Sequence, residues 1–274
     1  MSNITIIPQM LNDALKSNPP TANLHISTHA SDWLWTVFCL MALSFLIVLV
    51  RSFMRPKNFI FHQFALIILI TASLAYFSMA SDLGHAPITV EFNRSHVGPI
   101  TRNIFYVRYI QWFINAPLII LLLFIGTGFP LGIPLGHTFS PIFFTEVAVI
   151  GGLVGAVVHS TYKWGYYVFG VFGLFYVFTH LIFNVGRFEY PSPTGRTHGS
   201  FLATSVILAC IWFIYPIIWA LSEGGNVINP TAEMIWYGIM DLIAGPVFLA
   251  YFFWSHSEVD VEEGRNPPPR REKV

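Results

Sequence analysis

Residues 233–254, EMIWYGIMDLIAGPVFLAYFFW, are the stretch that most limits what this chain can become. The run is long and apolar enough to cross a bilayer, which takes about 20 residues. Near its middle stands one carboxylate, Asp241. One helical turn further, at i+4 and so on the same face, stands Gly245, followed by Pro246. A charge at that depth is costly. It marks either a functional site or a hydrogen-bonded tie between helices, and the choice rests on what faces Asp241 and what Gly245 leaves empty.

Six more apolar runs precede it, at about residues 32–53, 59–80, 103–124, 141–159, 164–185 and 200–221. Only 10% of the 274 residues are charged and 54% are hydrophobic, against roughly 25% charged in soluble domains, so the chain is an integral membrane protein. The expected fold is all-α, a bundle of seven transmembrane helices. Residues 1–30 read as an extracellular polar tail, 31–254 as the transmembrane domain and 255–274 as a disordered cytoplasmic tail. Ser31 and Asp32 suit the first N-cap, and Trp33 and Trp35 suit the interface. No basic segment precedes an apolar core at the N-terminus, so the first span is expected to act as the targeting signal. Between the second and third spans, Ile88 to Phe92 alternates like a strand, and its Pro and Gly flanks suggest a short β-hairpin.

With the N-terminus outside, the inner segments hold nine basic residues (Arg51, Arg55, Lys57, Arg187, Arg196, Arg265, Arg270, Arg271, Lys273). The outer segments hold four: Lys16, Arg94, Arg102 and Lys163. That asymmetry favours N-outside. Two glycosylation sequons, at Asn3 and Asn93, then also fall outside. A net charge of +0 gives no reason to expect a nucleic-acid partner. Cys39 and Cys210 lie in separate apolar runs and read as packing residues.

Three helical faces carry polar or aromatic groups. In the third span, Arg108, Gln111, Asn115 and Leu122 share one stripe, flanked by Trp112. A buried guanidinium needs an anion, and by depth Asp241 is the expected partner of Arg108; snorkelling to the outer surface is the alternative. In the sixth span, Trp212, Tyr215, Pro216 and Trp219 share a face, where Pro216 should kink the helix and free a carbonyl. Those aromatics either line a flat cavity or simply pack. In the fourth, Gly151, Gly152, Gly155 and Ala156 would admit a close neighbour. The four lysines, Lys16, Lys57, Lys163 and Lys273, all fall outside the spans, so no intramembrane amine is at hand for a Schiff base. The ten histidines show no metal-ligand spacing, and no metal site is expected.

Arg108-Tyr109-x-x-Trp112-x-x-x-x-Pro117 resembles the third helix of microbial rhodopsins. Trp212-x-x-Tyr215-Pro216-x-x-Trp219 is similar to their sixth helix. Asp241-x-x-x-Gly245 is similar to their seventh, with Asp241 in the place of a counterion aspartate. Tyr76-Phe-Ser-Met79 and Gly152-Leu-Val-Gly-Ala156 resemble the second and fourth. The resemblance implies a bundle of microbial-rhodopsin type. It also shows departures: Gly245 stands where the retinal-binding lysine should be, Gln111 replaces the primary proton acceptor, Asn115 a threonine and Leu122 the proton donor of outward pumps. Glu223 and Glu233 lie near positions of an extracellular acidic pair, the former offset by one residue.

Within that superfamily the chain is most similar to fungal opsin-related proteins, the opsin-like 30-kDa heat-shock group. That resemblance implies a plasma-membrane protein linked to stress, regulatory or chaperone-like, neither enzyme nor pump. It further implies action on the plasma-membrane proton ATPase or other membrane proteins, or assembly as a homo-oligomer. The alternative from another class is a receptor or carrier that holds a small apolar ligand, retinoid-like or lipid, without a covalent bond. The expected lining of that vestigial retinal pocket is Tyr109, Gln111, Trp112, Asn115, Tyr166, Gly170, Trp212, Tyr215, Asp241 and Gly245.

Overall fold

The computed structural model describes residues 12–54, 59–94, 98–126, 135–184 and 196–256. Among these, seven helices are long and apolar enough to cross a membrane. They are α1 Thr28–Met54, α2 Phe59–Ala80, α3 Tyr106–Gly126, α4 Leu135–Val157, α5 Lys163–Phe183, α6 Gly199–Gly224 and α7 Pro230–Ser255. Their outward faces expose large apolar side chains such as Leu46, Phe53, Phe169 and Val247, the pattern of a bundle whose solvent is hydrocarbon. The inner core joins Leu34, Val37 and Met41 of α1 to Tyr76 of α2, Ile120 and Leu123 of α3, Trp212 of α6 and Phe248 and Phe252 of α7.

Two helices are interrupted at proline. In α6 the helix breaks at Phe213 and resumes over Ile214–Trp219, where Pro216 withholds the N–H that would bond the Trp212 carbonyl. In α7, Pro246 lies within a wide π turn, Ile243–Val247, that also contains Gly245. The start of α7 is well defined: Pro230 opens it and the Asn229 side chain accepts from the Ala232 N–H at 2.8 Å.

Strand β1, Ala86–Thr89, pairs antiparallel with β2, Thr101–Ile104, so the expected hairpin between the second and third helices is present. The described part of the expected N-terminal polar tail is structured. From residue 12 onward it folds onto this outer face. Leu24 donates to the Thr101 carbonyl and accepts from the Asn103 N–H, both at 2.9 Å, adding a short third edge to the hairpin. Helix α1 consequently starts at Thr28, and Ser31 is no cap: it is buried, its hydroxyl donating to the Ala80 carbonyl at 2.6 Å. Residues 1–11 with Asn3, and 257–274 with nearly all of the expected cytoplasmic tail, lie outside the described residues. Asn93 is half-buried on the hairpin loop, where its amide donates to the Gly98 carbonyl. Cys39 and Cys210 are exposed on the bundle surface, contrary to the reading as packing residues: the helix phase turns both toward lipid.

Helices α4 and α5 approach backbone to backbone through glycine. A Cβ on Gly151 would lie 2.9 Å from the Tyr166 carbonyl oxygen, and one on Gly173 would lie 2.7 Å from that of Phe144. Gly152 and Gly155 instead make room for the rings of Tyr109 and Trp219. Gly173→Val should therefore force the pair apart and lower the thermal midpoint of the protein in nanodiscs, with ~1–3 kcal/mol lost as in overpacked cores generally. A variant melting with the wild type would show that this close approach is not needed.

Candidate functional site

Asp241 faces the middle of the bundle and is the focus of its polar contacts. Tyr76 of α2 donates to its Oδ2 at 2.7 Å and Gln111 of α3 to the same oxygen at 3.2 Å. Trp112 of α3 donates to Oδ1 at 3.2 Å and Tyr215 of α6 at 2.6 Å. Four uncharged donors from three helices thus converge on one buried carboxylate of a fourth. An ionised carboxylate offers about four acceptor directions, so the set matches an anion.

Arg108 does not pair with Asp241. Its Nη1 lies 2.8 Å from Glu233 Oε1 and 3.6 Å from Glu223 Oε1, and its guanidinium sits 4.0 Å from the centroid of the Tyr237 ring. Glu233 also binds Arg102 of β2 at 2.6 Å, and Arg102 further donates to Asn226 and to the Ile228 carbonyl. Tyr109 donates to Glu223 at 2.5 Å. The sequence-based pairing fails because of helix starts. With α3 beginning at Tyr106 and α7 at Pro230, Arg108 and Glu233 both lie in the first turn, at one depth. Asp241 lies eight residues beyond Glu233, about 12 Å along the axis. Glu233, Tyr237, Asp241 and Gly245 recur every fourth residue along one face, a signal that points to Glu233 as the outer anion of the same stripe. Arg102, read as a loop charge, is fully buried and was missed.

Beside Asp241 lies a cavity of about 130 Å³, an order of magnitude above the roughly 10–15 Å³ that one water needs. Tyr109, Gln111, Trp112 and Asn115 from α3, Gly170 from α5, Trp212 and Tyr215 from α6, and Asp241 and Gly245 from α7 all line it. Tyr166 does not: it is exposed, and Tyr167 takes its place. The lining stripe of α5 runs Tyr167, Gly170, Val171, Leu174, an i, i+3, i+4, i+7 pattern that leaves Tyr166 on the lipid side. A Cβ at Gly245 would meet only the tip of Met41, at 3.6 Å, so no aromatic ring is collapsed across that position. Trp219 closes the outer end, donating from Nε1 to the Gly152 carbonyl at 3.0 Å. Leu122 is buried but is not part of the lining.

A family model described as bacteriorhodopsin-like protein matches residues 28–255. The chain belongs to the bacteriorhodopsin-like family. Protein FDD123 of Trametes versicolor is 49% identical over 92% of this chain and 86% of that protein. The 30 kDa heat shock protein of Saccharomyces cerevisiae is 32% identical over 88% of this chain and 76% of that protein. Among solved structures, the light-driven proton pump rhodopsin of Coccomyxa subellipsoidea shares 32% identity with a TM-score of 0.75, covering 85% of this chain and 99% of that one. The chain is thus an opsin-related integral membrane protein with the seven-helix microbial-rhodopsin fold.

Retinal is the ligand that this fold implies. The aromatic walls suit an apolar polyene, but covalent attachment does not fit the residues present. Gly245 carries no side chain, and the described lysines are elsewhere: Lys16 pairs with Asp13 on the surface, and Lys163 lies at the start of α5, 3.4 Å from Glu91.

The geometry predicts a specific pattern of coupling. Arg108→Gln and Glu233→Gln should each destabilise the protein by ~3–5 kcal/mol, and the double variant should recover part of that loss. Arg108→Gln combined with Asp241→Asn should be close to additive. Thermal unfolding of these four variants and of Asp241→Asn alone, in nanodiscs, decides it; strong coupling of Arg108 to Asp241 alone would contradict the arrangement described.

Proposed function

We propose that this protein is a non-photoactive opsin-related membrane protein that holds a small apolar ligand, retinoid-like or lipid, without a covalent bond. The observation that carries this reading is the cavity beside Gly245, open where a side-chain amine would otherwise stand. Ligand pockets are mostly apolar with a few convergent polar groups, and this one joins aromatic walls to Asp241, Gln111 and Asn115. Without an amine there is no Schiff base to carry and release a proton, and neither Gln111 nor Leu122 titrates. Light-driven outward pumping is therefore not part of the proposed function, and neither is enzymatic catalysis. Native mass spectrometry of gently extracted protein tests the reading: a small apolar molecule should copurify in near-stoichiometric amount, and Gly245→Trp, which fills the cavity, should abolish it. An empty wild-type protein that also fails to take up added retinoids or lipids would overturn it.

A second reading is supported by the name of the 30 kDa heat shock protein relative. In it the protein is a stress-linked regulatory or chaperone-like component of the plasma membrane, working through contacts with lipid, other copies of itself or membrane proteins such as the proton ATPase. Crosslinking in membranes from heat-stressed and unstressed cells separates the two: this reading needs a membrane partner captured only under stress.

Two outcomes follow for retinal. Added all-trans retinal should give no adduct that borohydride traps, because neither described lysine, Lys16 or Lys163, lines the cavity. Gly245→Lys would place an amine one turn from Asp241, so a counterion is at hand. With Gln111 supplying no second carboxylate, the Schiff base should have a lower pKa than one flanked by two acids, giving weak pigment and no outward pumping. Absorbance titration and proton flux in liposomes measure both; robust pumping by the single substitution would contradict the reading of α3.

A further inference from the structure

Three features of the cavity bear on what its occupant must carry. The first is charge. At the outer end of the bundle the buried groups balance among themselves, Arg102 and Arg108 against Glu223 and Glu233. Lys163 is matched by Glu91. Asp241 has no ion pair among the described residues, although it is 96% buried. Four hydrogen bonds satisfy its acceptors but bring no positive charge, and a buried anion without a countercharge is costly.

The second feature is a pair of orphaned acceptors. Gln111 Oε1 and Asn115 Oδ1 are buried and have no hydrogen-bond partner among the described residues, though both residues line the cavity. Their identity as oxygens follows from the other end of each amide. The Gln111 amide nitrogen donates to Asp241 and that of Asn115 donates to the Ile68 carbonyl at 3.0 Å. Both partners only accept, so neither amide can be flipped. At i and i+4 on α3, the two residues share the face that lines the cavity. The third feature is the rest of the wall, which is apolar: Met41, Ile119, Leu174 and Trp212 among others.

We infer that the cavity selects an apolar ligand headed by a primary ammonium group, held with its N–H donors on Gln111 Oε1 and Asn115 Oδ1 and its charge beside Asp241. The inference rests on the non-covalent ligand reading above and names the head group that reading leaves open. A hydroxyl head could satisfy one orphaned oxygen but brings no charge. A carboxylate head is repelled by Asp241 and can donate to neither amide oxygen. An ammonium has three donors and supplies the missing cation. It does so without any bond to the protein, in the space beside Gly245.

The test compares heads on one body. Retinylamine, retinol and retinoic acid are titrated onto the full-length protein in nanodiscs at neutral pH, where an alkylamine with a pKa near 10 is charged. Binding is read by native mass spectrometry and by the shift in thermal midpoint. Retinylamine is expected to bind roughly tenfold or more tightly than retinol, with retinoic acid weakest. Asp241→Asn should erase the preference while leaving retinol binding in place. Gln111→Met, which keeps the carboxylate but removes one orphaned oxygen, should weaken the amine by about fivefold with little effect on retinol. It carries the test if Asp241→Asn does not fold. Dodecylamine against dodecanol distinguishes an alkyl-chain source from a polyene one, and the amine is expected to win on whichever body binds. If retinol and retinylamine bind equally, or the preference survives both substitutions, the ammonium inference is overturned and the cavity reading stands. If none of the probes binds, the cavity reading itself falls.

Discussion

The Asp241 carboxylate holds the centre of this bundle together. Inside hydrocarbon there is little hydrophobic force between helices, so packing and interhelical hydrogen bonds decide how they meet. Here one side chain of α7 receives donors from α2, α3 and α6 at 2.6–3.2 Å. Each contact is modest alone, on the order of 1 kcal/mol in measured membrane proteins. Their value lies in fixing four helices about one point. The rings that deliver the donors, Tyr76, Trp112 and Tyr215, are large and stiff, and Trp112 and Tyr215 also meet edge to face at 5.1 Å. The polar centre and the aromatic wall of the cavity are therefore one construction.

A second polar assembly sits at the outer end and works differently. Arg102, Arg108, Glu223 and Glu233 pair charge with charge in full burial. This quartet joins β2 and α3 to the ends of α6 and α7, so the hairpin is anchored to the bundle by ions, not merely laid on top of it. Tyr237 lies between the assemblies, covering the Arg108 guanidinium on one side and packing on Trp112 on the other. The separation keeps the guanidinium engaged with its own anions and leaves Asp241 to neutral donors.

Much of this was legible in the sequence because membrane helices announce themselves. Seven apolar runs, the proline at 216 and the Pro- and Gly-flanked strand pattern all follow from local chemistry, and the structure has the corresponding helices, break and hairpin. What failed turned on helix starts and phase. Shifting the start of α3 from 103 to 106 and of α7 from 233 to 230 changes which residues share a depth, and so moves Arg108 from Asp241 to Glu233. One residue of phase on α5 exchanges Tyr166 for Tyr167. The buried state of Arg102 and the fold of residues 12–27 depend on contacts distant in sequence, such as Leu24 with Thr101, and no local pattern encodes those.

The presence of a buried carboxylate with neutral partners has a physical account. Replacing Asp241 by an apolar residue would strand the hydroxyl of Tyr215, the indole N–H of Trp112 and one amide N–H of Gln111 in the bundle centre, and would leave the Tyr76 hydroxyl only its longer bond to the Tyr237 carbonyl at 3.3 Å. Unsatisfied donors there cost roughly 1–3 kcal/mol each. The carboxylate is thus held in place by its own cage of donors. Gly245 is under the opposite constraint. It lies in a π turn beside Pro246, where a helix of regular pitch is already given up, and almost nothing crowds its missing side chain. The acidic centre and the opening beside Gly245 are therefore held by separate constraints. That combination leaves a membrane-buried cavity with a carboxylate at one end and aromatic walls along the rest.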